Sequence, residues 1–165
     1  MELQKNRGML LESIINQTNI FYLTNKIALI HKKNLDINFK GVALEKNKLK
    51  LKDATIKSKS TVDYYGVYKG KFIAFEAKST EEKNFSLANV KKHQVEYLDL
   101  IESFCGLAFW IIYFKYQNEF IFLKHCDFLE ITKNKKTLSF EKAFQKGVVL
   151  KLEFPGILDY LKVCD

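Results

Sequence analysis

A chain of 165 residues, 47% hydrophobic with 14 Phe, 8 Tyr and a single Pro, is long enough to bury one core without metal or disulfide staples, and its composition excludes disorder. The formal charge is +8, and residues 1–59 hold 12 basic against 5 acidic side chains while the rest holds 15 against 14, so +7 of the excess lies in the first third. Charge concentrated in this way points to a polyanion such as nucleic acid, bound by counterion release from phosphates, and no strongly amphipathic basic helix is present there to favour a membrane surface.

Residues 7–21 read as a helix with Leu11, Ile14, Ile15 and Thr18 on one stripe and Glu12 at its edge. Residues 27–30 read as a short strand, followed by His31, Lys32 and Lys33. From 34 to 59 the pattern turns charged and mixed. Within it Lys48-Leu49-Lys50-Leu51-Lys52 alternates strictly, as in a strand with its lysines on one face. Two readings are open for this stretch: a protruding basic arm, or an edge strand guarded by lysines against aggregation.

Next comes Asp63, then Tyr64-Tyr65-Gly66-Val67-Tyr68-Lys69-Gly70, with the aromatic content of a strand and the glycine spacing of a hairpin turn. The returning strand carries Phe75-Glu76-Ala77-Lys78. Alternation puts Glu76 and Lys78 on one face and Phe75 and Ala77 on the other, and the hairpin folds Asp63 back beside Glu76. Two hard oxygen donors beside one ammonium suit Mg²⁺-assisted cleavage of a phosphodiester. Glu-x-Lys alone is a weak pattern, since Glu81-Glu82-Lys83 repeats the spacing in a polar run without strand character. A solvent-facing ion pair on an edge strand is the bland alternative.

A loop at 80–84 leads to a helix predicted over 86–104, with Ser86 as its N-cap and Leu87, Val90, Tyr97, Leu98 and Ile101 as its apolar stripe. Gln94 falls on the same stripe, so it either hydrogen-bonds inside the core or lies over the charged strand, reaching phosphate or the attacking water. Strands follow at 107–114 and 120–123, with short elements near Phe140 and at 157–161. The apolar run at 107–114 is a buried strand, far short of the roughly 20 residues of a membrane helix. Near the start, Glu12 and Ser13 interrupt the apolar run, which is too short and polar for a signal peptide. Cys105, Cys126 and Cys164 lack metal-ligand or redox spacing and read as reduced thiols of a cytoplasmic protein. The elements sum to αβββαβ with a small C-terminal appendage, an α/β sheet covered on both faces in one domain spanning 1–165.

Taken in order, Asn6-Arg7-Gly8-Met9, Glu12, Thr18-Asn19, Tyr22, Ile30-His31-Lys32-Lys33, Ser60-Thr61-Val62-Asp63-Tyr64, Gly66-Val67-Tyr68-Lys69-Gly70, Phe75-Glu76-Ala77-Lys78 and His93-Gln94 resemble the RecU family of Holliday junction resolvases. The resemblance implies a restriction-endonuclease-like fold of the PD-(D/E)xK type, a mixed sheet flanked by helices with a protruding basic stalk. It also implies a homodimer that makes paired symmetric nicks in four-way DNA junctions, in recombination and repair, with Mg²⁺ or with Mn²⁺ in its place. Recombinase or branch-migration proteins would be further partners, and no membrane is involved. Carried over by residue, Asp63 and Glu76 would hold the metal with the Ala77 carbonyl, Lys78 would orient or deprotonate water and offset charge, and Gln94 and Glu12 would support the site. The stalk would be 34–59. Arg7, Lys32, Lys33, Lys48, Lys50, Lys52, Lys57 and Lys59 would meet DNA phosphates. Val62 departs from the threonine expected before the metal aspartate, which removes a hydroxyl. Two rival functions share much of this reading: a duplex-cutting nuclease of the same fold, and a noncatalytic junction-binding protein.

Overall fold

An apolar stripe at helical spacing makes α1 (Met9–Thr24), which buries Leu11, Ile14, Ile15, Thr18, Asn19 and Tyr22. The computed structural model, in which α1 opens the described chain, describes residues 9–34, 36–58 and 61–164. After α1 come β1 (Ala28–Lys32), β2 (Asp36–Asn38), β3 (Gly41–Glu45), β4 (Lys48–Lys52) and β5 (Thr55–Ser58). Next stand β6 (Tyr64–Tyr68), β7 (Lys71–Thr80) and β8 (Asn84–Ser86), then a 3-10 turn Leu87–Asn89 and α2 (Lys92–Ser103). The remainder is β9 (Leu107–Phe114), β10 (Glu119–Lys124), α3 (His125–Thr132), β11 (Thr137–Ser139), α4 (Phe140–Lys146), β12 (Val148–Leu150), β13 (Leu152–Glu153), β14 (Ile157–Leu158) and a closing 3-10 turn Tyr160–Val163.

Six strands form the main sheet in the order β1-β6-β7-β9-β10-β12. Its β7–β9 pair is parallel and the other four pairs are antiparallel, so the sheet is mixed, as expected. The β6–β7 hairpin closes on Tyr68–Lys71, with Lys69 and Gly70 both at positive φ, the backbone a two-residue primed turn demands. Gly66 sits where β6 crosses closest to β1: a Cβ there would fall 2.0 Å from the Leu29 carbonyl oxygen.

Both faces are covered. On one, α1 and the C-terminal segment pack over Tyr64, Ile73, Phe75, Phe109 and Ile111, and Thr18 Oγ1 accepts the Leu158 N–H at 2.9 Å. On the other, α2, α3 and α4 pack over Ala74, Ala108, Trp110, Ile112 and Ile121. All eight residues of 107–114 lie in β9, with seven of them buried. None of the described helices is long and apolar enough to cross a membrane.

Two elements depart from expectation. Ser86 does not cap a helix. It ends β8, which pairs with β11 and buries Phe85, and Leu87 N–H donates to the Lys136 carbonyl at 3.0 Å. The helix therefore starts at Lys92, and Leu87 and Val90 belong to its lead-in. The second departure is α3 and α4, which cover the second face where the sequence suggested only short closing elements.

Residues 36–58 form two small antiparallel sheets, β2 with β5 and β3 with β4. Among the described residues neither is hydrogen-bonded to the main sheet. All five β4 residues are exposed, so Lys48-Leu49-Lys50-Leu51-Lys52 is a strand, as read, yet neither of its faces is covered. With β3 as its one neighbour, β4 is the edge of its own two-stranded sheet, so the lysine-guarded edge and the basic arm both describe it.

Candidate metal centre

The geometry of the charged trio follows from register. Tyr64 of β6 stands opposite Phe75 of β7, and their rings stack at 4.9 Å, so Asp63, one residue before Tyr64, comes level with Glu76. The β6 ladder stops there. Beyond it Ala77 N–H is free to donate to Asp63 Oδ2, at 3.1 Å. In an extended strand the N–H and C=O of one residue point to the same side, so the Ala77 carbonyl lies along the edge that carries Asp63.

Glu76 is fully buried. Its Oε2 accepts from Gln94 Nε2 at 2.7 Å and pairs with Lys78 Nζ at 2.6 Å. Lys78 also reaches Asp63 Oδ2, at 3.3 Å. The Gln94 amide is fixed from both ends, since its Oε1 accepts the Lys91 N–H at 3.1 Å at the start of α2. Glu76 Oε1, by contrast, is buried with no hydrogen-bond partner, a costly condition for a carboxylate oxygen unless a cation or water completes it.

Electrostatics agree with that orphaned atom. Burial, then the charge of Asp63, pushes the Glu76 carboxyl up to about 8, against the pull of Lys78. Burial works to lower Lys78, yet the two carboxylates prevail and hold its ammonium above the ordinary lysine range. Burial, then Glu12 and Asp63, raises the Tyr64 hydroxyl, which donates to Asn16 Oδ1 at 3.1 Å.

A cavity of about 180 Å³ opens at this edge, lined by Glu12, Lys32, Lys33, Asp63, Ala77 and Lys78 among others. Glu76, fully buried, forms none of its wall. It lies behind that wall, paired there with Lys78. Glu12 lines the cavity paired with Lys32. No group of three or more His, Cys, Asp or Glu side chains is placed to hold a metal among the described residues. What could hold a metal here is two carboxylates and a carbonyl, hard oxygens of the kind that bind Mg²⁺ together with water and substrate phosphate. An unpartnered buried Glu76 oxygen beside Asp63 fits such an ion.

The structure brings Asp63, Glu76, Ala77, Lys78 and Gln94 together, with Glu12, Lys32 and Lys33 around the cavity. Lys48, Lys50 and Lys52 lie on β4 and Lys57 on β5, outside the cavity wall. Arg7 and Lys59 fall outside the described residues. The second Glu-x-Lys copy scatters, with Glu81 pairing with Lys115 at 3.0 Å and Lys83 with Glu141 at 3.6 Å. Val62 is buried in the core with Ala74 and Trp110. Sequence reasoning missed the Ala77 N–H as a clamp on Asp63 and Lys32 as the partner of Glu12. Neither carried a sequence signal, because one is a backbone group and the other joins residues twenty apart on different elements.

Comparison with known proteins completes the picture. The family described as Recombination protein U, RecU, matches residues 6–165. The chain is 42% identical over 161 residues to the Holliday junction resolvase RecU of Mycoplasmopsis pulmonis (strain UAB CTIP), covering 96% of this chain and 94% of that protein. It is 38% identical over 167 residues to the Holliday junction resolvase RecU of Bacillus cereus (strain B4264), covering 97% and 84%. Among solved structures, Archaeoglobus fulgidus Hjc, a Holliday junction resolvase from an archaeal hyperthermophile, is similar with a TM-score of 0.51 and 11% identity, over 84% of this chain and 94% of that one. The likeness to Hjc is one of fold, a restriction-endonuclease-like α/β sheet.

Proposed function

Because the chain belongs to the RecU family, we propose that it is a Holliday junction resolvase, a metal-dependent endonuclease that nicks opposing strands of four-way DNA junctions. One observation carries the site assignment: Glu76 Oε1 is buried and unpartnered beside Asp63. Asp63, Glu76 and the Ala77 carbonyl would hold the ion, Mg²⁺ with Mn²⁺ able to replace it. When bound, it supplies positive charge at a nonbridging phosphate oxygen and acidifies water.

The protein's own groups do the rest. Gln94 and Lys78 occupy Glu76 Oε2 and leave Oε1 for the ion. The Ala77 N–H and Lys78 aim Asp63 in the same way. Lys78, held as an ammonium by two carboxylates, is suited to offset charge on the pentacoordinate phosphate and to orient water as a donor rather than to take its proton. Water oxygen bonds to phosphorus as one P–O ester bond breaks, leaving a hydroxyl and a phosphate monoester. Glu12, paired with Lys32 at the cavity mouth, supports the site from α1.

Two nicks on opposing strands need two such sites, and each chain carries one, so the working unit is a homodimer. The nuclease unit is one domain, 1–165. Its insertion, 34–59, is a stalk that presents Lys48, Lys50, Lys52 and Lys57 to phosphates, with Arg7, Lys32, Lys33 and Lys59 as further contacts. It acts in the cytoplasm on intermediates left by recombinase and branch-migration proteins.

The test is cleavage of a labelled four-way junction and a matched linear duplex, with Mg²⁺ or Mn²⁺, by wild type and Asp63→Asn. Paired symmetric nicks in the junction alone, lost in the variant, are expected. Equal cutting of the duplex would favour a general nuclease, and binding without cutting in either metal a junction-binding protein.

A further inference from the structure

α2 carries Gln94 to Glu76, yet little apolar packing fixes it: among its residues only Gln94 and Leu98 are buried, with Val95, Tyr97 and Ile101 half-buried against the core. A helix held so lightly can rotate or slide, and a small rotation would lift the Gln94 amide from Glu76. A second polar anchor lies five residues on, about 7.5 Å along the axis. There Asp99 Oδ1 is 2.9 Å from His125 Nε2, and His125 Nδ1 is 2.9 Å from Trp110 Nε1.

The chemistry of these groups fixes the direction of the chain. An indole N–H can only donate, so His125 Nδ1 accepts and Nε2 carries the hydrogen that goes to Asp99. His125 and Trp110 are fully buried, and Trp110 stacks on Phe128 of α3 at 4.2 Å. Trp110 is also the ladder partner of Glu76 across the parallel β7–β9 pair. A closed circuit results, from Glu76 to Gln94, along α2 to Asp99, through His125 to Trp110, and back across the ladder to Glu76.

We propose that Asp99, His125 and Trp110 are positioning residues for the metal centre, pinning α2 to the strand beside Glu76 so that Gln94 holds Oε2 and Oε1 stays directed to the ion. This rests on the metal-centre reading above. The buried Leu98 fastens the helix as well, but its contacts are less directional in the angle about the helix axis than a hydrogen bond is. The directional Asp99–His125 bond sets that angle, and with it the place of Gln94.

Asp99 is the experimental handle, because its side chain is half-exposed and its loss spares the core. Mn²⁺ alone is titrated calorimetrically into the full chain for wild type, Asp99→Ala, Asp99→Asn, Gln94→Ala, the Gln94→Ala/Asp99→Ala double variant and Glu76→Gln. Asp99→Ala is expected to weaken Mn²⁺ binding about tenfold, the lower end of what groups orienting a metal ligand contribute. Asp99→Asn should restore it, since the amide oxygen still accepts from Nε2–H, and the double variant should bind no worse than Gln94→Ala alone. Wild-type affinity in Asp99→Ala, multiplied losses in the double variant, or a loss in Asp99→Ala with none in Gln94→Ala would each overturn the proposal. Undiminished Mn²⁺ binding by Glu76→Gln would instead overturn the metal-centre reading itself, and this proposal with it.

Discussion

The middle of β7 and the 36–58 segment solve opposite problems. In the middle of β7 a carboxylate is sealed from water, held at one oxygen by an amide and an ammonium and left open at the other. In the 36–58 segment, Leu44 is 71% and Leu49 76% exposed, the lysines of β4 stand in solvent, and one of them, Lys50, pairs with the exposed Glu45. Buried charge in a fixed frame is what bond-making chemistry requires, since its stabilisation is built before the reaction begins. Exposed charge on a thin support is what phosphate binding tolerates, because released counterions drive it without close packing. Damage to the first region should therefore alter rate and metal dependence, and damage to the second should alter affinity and salt dependence.

After loss of the Glu76 carboxylate itself, the largest expected effect that separates the two is Lys78→Met. It should slow nicking of pre-bound junction by about a hundredfold to a thousandfold, the usual cost of removing one preorganised electrostatic donor, while a gel-shift assay finds junction affinity little changed. Loss of binding with unchanged rate would erase the distinction. Next in size is the Lys48→Gln/Lys50→Gln/Lys52→Gln variant. Its junction affinity should fall and its log-log salt slope flatten by about two to three, as expected for three lost phosphate contacts. Its single-turnover rate at saturating protein should match wild type, and an unchanged slope would remove the insertion from the DNA interface.

A smaller effect concerns pH. The Glu76 carboxyl sits at about 8 in the fold against an ordinary 4.5, so between those values the folded state holds a proton that the unfolded chain releases. Stability of the metal-free protein should thus fall as pH rises from about 5 to 8. Glu76→Gln should abolish that component and melt higher than wild type at pH 8. Parallel melting profiles for the two proteins would contradict the burial argument. The smallest effect is Val62→Thr. With the side chain 1% exposed in the core, a hydroxyl there should cost about 1–2 kcal/mol of stability and leave nicking unchanged. A faster enzyme would mean that the hydroxyl reaches the site after all.

What the sequence disclosed, and what it withheld, follows the range of the interactions involved. The hairpin bearing Asp63 and Glu76 was legible because alternation, aromatic content and the Lys69-Gly70 turn are local, and local pattern also placed Leu11, Ile14 and Ile15 on the buried stripe of α1. The start of α2 was not, because β8 exists only through pairing with residues 137–139, fifty positions away. Gln94 announced itself as a polar residue on an apolar stripe, but its partner Glu76 lies eighteen residues earlier and leaves no mark in the spacing. Burial of Glu76 was hidden for a related reason. Alternation assigns a face, and whether that face opens to solvent depends on the helix packed over it.

The most direct measurement is single-turnover nicking of a pre-bound four-way junction in Mg²⁺ by wild type and Glu76→Gln, with binding measured separately in the absence of metal. The account predicts equal binding and a rate lower by about three orders of magnitude or more in the variant. Nicking at the wild-type rate by Glu76→Gln would contradict it.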